Sequence, residues 1–457
     1  MNIEITFLQR QGASHIKKNI VCQDFAKAIK DHNGNIILAL SDGHGSAKYF
    51  RSDRGSRIAV EIAEEVLSEF IAHYKPETIT PLINGNLLMQ GTTKGDYSIQ
   101  SFDADKIFRH LGGAILYRWQ RKVVQDWMEN PPSPAEMIRL SQEEKDLYSS
   151  VDRKRIVKAY GCTLQAAIRT KDFWFALHIG DGKVVAVRSD GTIYEPIPWD
   201  KDCFGTTTTS MCEVDPERIR YCYGINNSDA SALFLASDGM DDSFTNFEEL
   251  ASFYGVNILE NIHTNGWNNF INSIPKLLDI VSAKYSGDDM SLACWVTCED
   301  IPSMMPTILN ADKQRIVTQL EYFKGQLEVV KREKDEFVIQ RRRLQDRVLG
   351  MQDGRNALEK IKDIFILLKE DVKMILKPIS NTFGKAEEEL NNESLDIEKN
   401  IIRLGVEIKA KENEIDKFAI RILSLEKELN TILNKLSQLS SLDVSADDIF
   451  DANSLHN

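Results

Sequence analysis

The stretch Asn35-Ile-Ile-Leu-Ala-Leu-Ser-Asp42-Gly-His-Gly45 is an apolar run that stops on an aspartate and continues into a glycine-flanked histidine. A short run rich in Ile and Leu, bounded by Asn and Gly, predicts a buried strand. Three further runs carry the same signature. Phe173–Ile179 leads into Gly180-Asp181-Gly182, Ala232–Ala236 leads into Ser237-Asp238-Gly239, and Gly287-Asp288-Asp289 opens Met290–Val296. Asp42, Asp181 and Asp238 follow their strands, whereas Asp288 precedes its own. If that last strand runs antiparallel to a neighbour, all four acids reach one rim of a sheet.

Carboxylates gathered in this way repel and raise one another's pKa unless a cation lies among them. Mg²⁺ and Mn²⁺ suit such a site, because hard divalent ions take oxygen shells and retain water. Water shared by two such ions is a nucleophile near neutral pH, and the ions also bind phosphoryl oxygens. His44, held beside Asp42, is placed to protonate a leaving alkoxide. A single Asp-Gly pair is more often an ordinary turn, and a lone histidine such as His15 or His178 is more often structural. Four acids at strand edges, one followed by Gly-His-Gly, reverse that balance.

The chain as a whole is consistent with this reading. Apolar residues make up 42% and charged residues 27% of 457 residues, a globular balance with length for more than one module. The formal net charge of −13 repels phosphate backbones, so no nucleic-acid partner is expected, and a divalent cation is the more natural guest. No basic-then-apolar leader opens the sequence and no apolar run approaches the roughly 20 residues of a membrane span, so a soluble, cytoplasmic protein without membrane contact is expected. The seven scattered cysteines read as buried free thiols rather than disulfides or a zinc site.

Residues 1–300 mix strands with helices. Ser52–His73 carries Ile58, Ile62, Val66, Leu67 and Phe70 on one face, with Ser52 or Asp53 as its N-cap. Phe102–Met128 is a second helix, ended by Pro131-Pro-Ser-Pro134, and residues 75–100 between the two read as a surface excursion. Ser189-Asp-Gly-Thr192 reads as a hairpin turn, and later helices are expected at Phe247–Phe253 and Trp267–Tyr285. From residue 301 to 442 Gly and Pro become scarce, and apolar residues fall into heptads from Leu390 to Leu439 and, less regularly, from Ile316 to Ile375. This spacing predicts a coiled coil, read as an antiparallel hairpin broken near 378–385, with intermolecular pairing as the alternative. Residues 443–457 read as a mobile acidic tail.

The ordered set Gly12-Ala-Ser-His15, Gln23-Asp24, Ser41-Asp-Gly-His-Gly45, Gly161-Cys-Thr163, Gly180-Asp-Gly182, Ser237-Asp-Gly239 with Asp242, and Gly287-Asp-Asp-Met-Ser291 resembles the PP2C family of metal-dependent protein serine/threonine phosphatases, in its bacterial branch, over roughly residues 1–298. The resemblance implies an α+β fold, a four-layer αββα sandwich, here followed by the helical module. It implies two Mn²⁺ or Mg²⁺ ions, with a third in some members. Asp42 would bridge the two ions, Gly43 would offer its carbonyl, and Asp238 and Asp288 would complete one shell. Asp181 and Asp242 match the third-metal positions, and His44 matches the general acid. Asp289 stands where Asn is frequent and is secondary. Two departures stand out. Gln23 replaces a common Glu, leaving Asp24 as an auxiliary ligand, and Asn19 lies where a phosphate-binding arginine is usual, leaving Lys17, Lys18 or His15 as substitutes.

The function so implied is hydrolysis of phosphoserine or phosphothreonine on a protein substrate, such as a Ser/Thr kinase or its target, with the coiled coil docking a partner or forming a homo-oligomer. The alternative is a catalytically weak pseudophosphatase that binds or scaffolds phosphoproteins. It draws on the missing arginine and is opposed by retention of Asp42, His44, Asp238 and Asp288.

Overall fold

The structure is a computed structural model of the chain, and it describes residues 2–75, 89–92, 103–148, 152–201, 203, 207–213, 219–366 and 377–453. The expected surface excursion between the first two long helices lies largely outside the described residues. The chain divides into two compact units, Met1–Asp312 and Lys313–Asn457.

The first unit is built on two antiparallel sheets. One has the order β1 (Ile3–Arg10), β11 (Met290–Thr297), β10 (Ala232–Ala236), β7 (Lys183–Val187), β8 (Ile193–Tyr194). The other has the order β2 (Phe25–Lys30), β3 (Ile36–Ser41), β5 (Leu164–Arg169), β6 (Trp174–Ile179), β9 (Arg220–Gly224), β4 (Met89–Thr92). The alternation of side chains along each strand explains the layering. In β3, Ile36, Leu38 and Leu40 point into the space between the sheets, where they meet Leu233, Leu235, Ala293 and Trp295. Ile37 and Ala39 point the other way, onto a helical layer.

That layer comprises α2 (Ser52–His73) and α3 (Asp103–Glu129), whose Ile58, Ile62, Val66, Ile115 and Trp119 are buried against the six-stranded sheet. The opposite face of the five-stranded sheet is also covered, with Phe234 of β10 stacked on Tyr254 at 4.6 Å. Helices therefore lie outside both sheets, giving the expected αββα sandwich. The hairpin at 189–192 forms as read, with Gly191 at φ 87°, a conformation that favours glycine, and β7 pairing β8.

Three local readings change. The N-cap of α2 is Arg51, not Ser52 or Asp53. Arg51 is buried and bonded to Glu136, the Asn130 carbonyl and the Tyr160 hydroxyl at 2.7–2.8 Å, so a tertiary anchor sets where the helix starts. Ser52, already helical, accepts instead from Gln23 Nε2 at 2.5 Å. The helix beginning at Phe247 continues past Phe253 as a π-helical segment, Phe253–Glu260. The first unit also reaches beyond residue 300. The helix Ile301–Ile366 starts within it and buries Ile301, Met304, Met305, Ile308 and Leu309, while Ser252 donates to Asp312 at 2.6 Å.

In the second unit, the remainder of that helix pairs with Lys377–Asn453. Lys324 meets Glu426 at 2.9 Å, Glu333 meets Lys411 at 2.8 Å, Arg347 meets Glu393, and the Phe323 and Phe418 rings lie 6.0 Å apart. Residue numbers rise on one helix as they fall on the other, so the pair is antiparallel. The second helix runs unbroken through 378–385, contrary to expectation. Pro378 occupies its first turn, where an amide hydrogen has no intrahelical acceptor to lose. The connection at 367–376 lies outside the described residues. The helix also runs on to Asn453, across most of the segment read as a mobile tail.

A chain ending at residue 312 should give a cooperative thermal unfolding transition, whereas one ending at 300 should melt at least several degrees lower or fail to fold. Each of the five buried apolar side chains lost between 301 and 309 contributes about 1.5–3 kcal/mol. Circular dichroism melts of the two truncations check this.

Candidate metal and phosphoryl-transfer centre

Asp42 leaves the end of β3 and is tied at once to the residues leading into β5. Thr163 donates its amide to the Asp42 carbonyl at 2.8 Å, the Asp42 amide donates to Thr163 Oγ1 at 2.9 Å, and the His44 amide donates to the Gly161 carbonyl at 3.1 Å. Gly43 bridges to Cys162 within this strap. Gly161 is required by space. A Cβ there would fall 2.5 Å from Tyr49 Cδ1 and 2.9 Å from His44 Cδ2. Asp181 follows β6 through Gly180, whose amide donates to Thr209 Oγ1 at 3.0 Å.

The five-stranded sheet supplies the other acids. Asp238 and Asp242 lie one turn apart after β10, and Asp288 stands just before β11, which pairs antiparallel with β10. Close backbone packing fixes this corner. A Cβ on Gly12 would lie 2.4 Å from the Asp288 carbonyl carbon, and one on Gly239 would lie 2.1 Å from the Asp289 oxygen. Asp289 acts as a latch, accepting from the Gly12 and Gln23 amides, each at 2.7 Å. The acids therefore gather at the shared end of two facing sheets, not along the rim of one.

Asp42, Gly43, His44, Asp181, Asp238 and Asp242 line a single cavity of about 1040 Å³, together with Asp288, Gln23 and His15. The Asp42 carboxyl is held well above the usual range, first by burial and then by Asp238, Asp24 and Asp181. Asp238 is pushed up to about 7 by burial, with Asp181, Asp288 and Asp242 adding to the shift. Asp24 lies beneath the lining, buried, and is likewise raised by burial and by Asp289. Neither of its carboxylate oxygens has a partner of hydrogen-bonding geometry. His15 sits against the acids, its ring nitrogens 3.4 Å from Asp288 and 2.9 Å from Asp289. An all-oxygen donor set, an orphaned buried carboxylate and neighbours that are mostly other acids fit divalent cations. Asp42, Gly43, Asp238 and Asp288, the ligands expected from the sequence, share this lining with Asp181 and Asp242.

A sequence profile described as Protein phosphatase 2C matches residues 11–269, more than half of the chain. The chain belongs to the Protein phosphatase 2C family. No curated protein matches the sequence. Among solved structures, a serine/threonine phosphatase from S. agalactiae is 14% identical, covering 65% of this chain and 99% of its own, with a TM-score of 0.37. Stp1 from Staphylococcus aureus is 14% identical, covering 65% and 95%, with a TM-score of 0.39. The catalytic domain of the phosphatase PstP, a complex with two manganese ions, is 14% identical, covering 64% and 97%, with a TM-score of 0.37.

Of the three residues read from the sequence as phosphate-binding, His15 lines the cavity and Lys17 and Lys18 do not. Lys17 and Lys18 are exposed on the short helix Ala13–Lys18 and are not among the residues that line the cavity. Asn19 caps that helix in the left-handed conformation, φ 53°, a backbone role that suits asparagine. Lys48, Lys154 and Lys158 do line the cavity, and sequence reasoning missed them. Their spacing gave one signal: Lys154 and Lys158 are four apart on the helix Arg153–Ala159 and share a face. Gln23 spends its side-chain amide on Ser52 Oγ and on the His44 carbonyl at 3.3 Å, bracing the strap. His44 Nε2 is 2.7 Å from Ser210 Oγ, a partner the sequence did not point to.

The raised acids set the pH dependence of the metal-free protein. Asp238 titrates near 7 when folded, against about 3.9 when unfolded, so its stabilising contribution is complete below about pH 4 and is lost as pH rises through 7. Metal-free protein should melt at a lower temperature at pH 8 than at pH 6. Saturating Mn²⁺ should raise the pH 8 transition by several degrees, since ligand at 100 times Kd contributes about 2.7 kcal/mol, and should flatten the difference. Differential scanning fluorimetry checks both. Gly161→Ala should displace His44 or Tyr49 and lower turnover by about tenfold or more, measured with Mn²⁺ present.

Proposed function

We propose that this chain is an active protein serine/threonine phosphatase that uses two divalent cations, Mn²⁺ or Mg²⁺, held by Asp42, Gly43, Asp238 and Asp288, with Asp181 and Asp242 as ligands to a further ion. The observation that carries the proposal is the convergence of five aspartates and His44 on one cavity at the end of the sandwich. Bound divalent ions would supply Lewis acidity toward a phosphoryl group and make water a competent nucleophile near neutral pH.

The protein's own residues do the rest. Asp42, pinned through both its backbone amide and its carbonyl to Thr163, holds its carboxylate at a fixed position. Fixed donors cost little reorganisation during reaction. His44 is pushed down to about 4 by burial and by Lys48, so its ring is neutral at pH 7. The negative charge of an entering phosphate ester favours the imidazolium, and the ring then stands beside the leaving oxygen as a proton donor. Ser210 Oγ, bonded to His44 Nε2 and 3.1 Å from the Cys162 carbonyl, fixes the ring's orientation.

A phosphoprotein is the substrate this reading favours, and cleavage of the phosphoester to phosphate and a free hydroxyl needs no further co-substrate. Phosphate release from phosphoserine and phosphothreonine peptides should depend on Mn²⁺ or Mg²⁺ and fall at least about 100-fold in Asp42→Asn and in Asp238→Asn. Metal-loaded, folded protein that binds phosphopeptides without turnover would instead identify a pseudophosphatase.

A further inference from the structure

We propose that Lys48, Lys154 and Lys158 select phosphopeptides that carry additional negative charge beside the phosphorylated residue. The inference rests on the phosphatase reading and adds a substrate preference to it.

All three lysines line the cavity that holds the aspartates. They come from two elements packed on each other, the 3₁₀ turn Ala47–Tyr49 and the helix Arg153–Ala159. Lys48 lies over the Tyr49 ring at 4.8 Å, and that ring is 4.7 Å from the His44 imidazole. Lys48 therefore stands on the histidine side of the cavity. Lys158 shares the cavity lining with Cys212, whose thiol is 3.2 Å from Ser210 Oγ, the hydroxyl that bonds His44. Lys154 is one turn earlier on the same helical face as Lys158.

None of the three has a carboxylate partner at ion-pair distance among the described residues, although Glu213 lines the same side. All three are exposed, as is Asp242, whereas Asp42, Asp181 and Asp238 of the same lining are only partly exposed. This placement matters because the chain as a whole is acidic, with a net charge of −13, and its field opposes an anionic peptide. The phosphate itself is addressed to the aspartates, where cations would fit. Carboxylates or a second phosphate on flanking residues would meet the lysines, and a neutral or basic flank would leave them unpaired. Exposed charge pairs contribute modestly, so selection comes from the three acting together and is screened by salt.

The test uses the full chain with saturating Mn²⁺ and two fluorescein-labelled phosphoserine peptides, one flanked by Asp and Glu and the other by Lys and Arg. Binding is read by fluorescence anisotropy with Asp42→Asn, which removes turnover, and hydrolysis is read separately with the wild type. The acidic peptide should bind about tenfold more tightly at low salt, and the advantage should vanish near 0.5 M NaCl. Lys154→Glu/Lys158→Glu in the Asp42→Asn background should reverse the order, and Lys154→Gln/Lys158→Gln should abolish the preference. Equal binding of the two peptides overturns the inference. So does a variant that weakens both equally, since the lysines would then grip the shared phosphate. Failure to hydrolyse either peptide, with the binding preference intact, counts against the phosphatase reading alone.

Discussion

Crowding of carboxylates at the shared end of two sheets is the constraint on which the rest of this structure depends. Asp42, Asp238 and Asp24 lie near one another, and each is held above the ordinary carboxylate range. Such an arrangement opposes folding unless a rigid frame enforces it and cations complete it. The frame is visible in the contacts. Gly12 and Gly239 press against the Asp288–Asp289 backbone, Asp289 latches two loops through the Gly12 and Gln23 amides, and Thr163 grips Asp42 on both sides of its backbone. Each of these joins elements distant in sequence, so the site exists only when the sandwich is closed.

The apolar core supplies the closing force. Alternate residues of β3 and β6 face two different partners, the opposing sheet on one side and α2 with α3 on the other. Trp174, Trp295 and Trp119 are all fully buried within these layers. A frame of this kind tolerates strained electrostatics at one end because the packing that resists it is spread over the whole unit. The same cavity is lined by aspartates from both sheets and by Lys48, Lys154 and Lys158.

The second unit follows simpler rules. Its helices meet through Ile316, Leu320 and Val330 on one side and Ile397, Leu404, Ile422, Leu425 and Ile432 on the other, flanked by ion pairs such as Lys324–Glu426. Those apolar positions belong to the heptads read from the sequence, since a periodicity of this kind depends only on local geometry. Where the second helix begins was misjudged because Pro378 looks like a breaker yet fits a first turn.

The sequence by itself determined the strands and their terminal aspartates, because a buried run and its bounding acid are adjacent in the chain. It also determined the buried face of Ser52–His73, whose apolar spacing is local, and the family, through an ordered set of short motifs. Tertiary structure decided what adjacency cannot encode. It drew the acids from both sheets rather than one, and turned Asp289 and Gln23 into braces. It paired His44 with Ser210, 166 positions away. It also left Lys17 and Lys18 outside the cavity and brought Lys48, Lys154 and Lys158 into its lining. A solvated lysine and a substrate-facing lysine look alike in sequence, and the elements packed around each one make the difference.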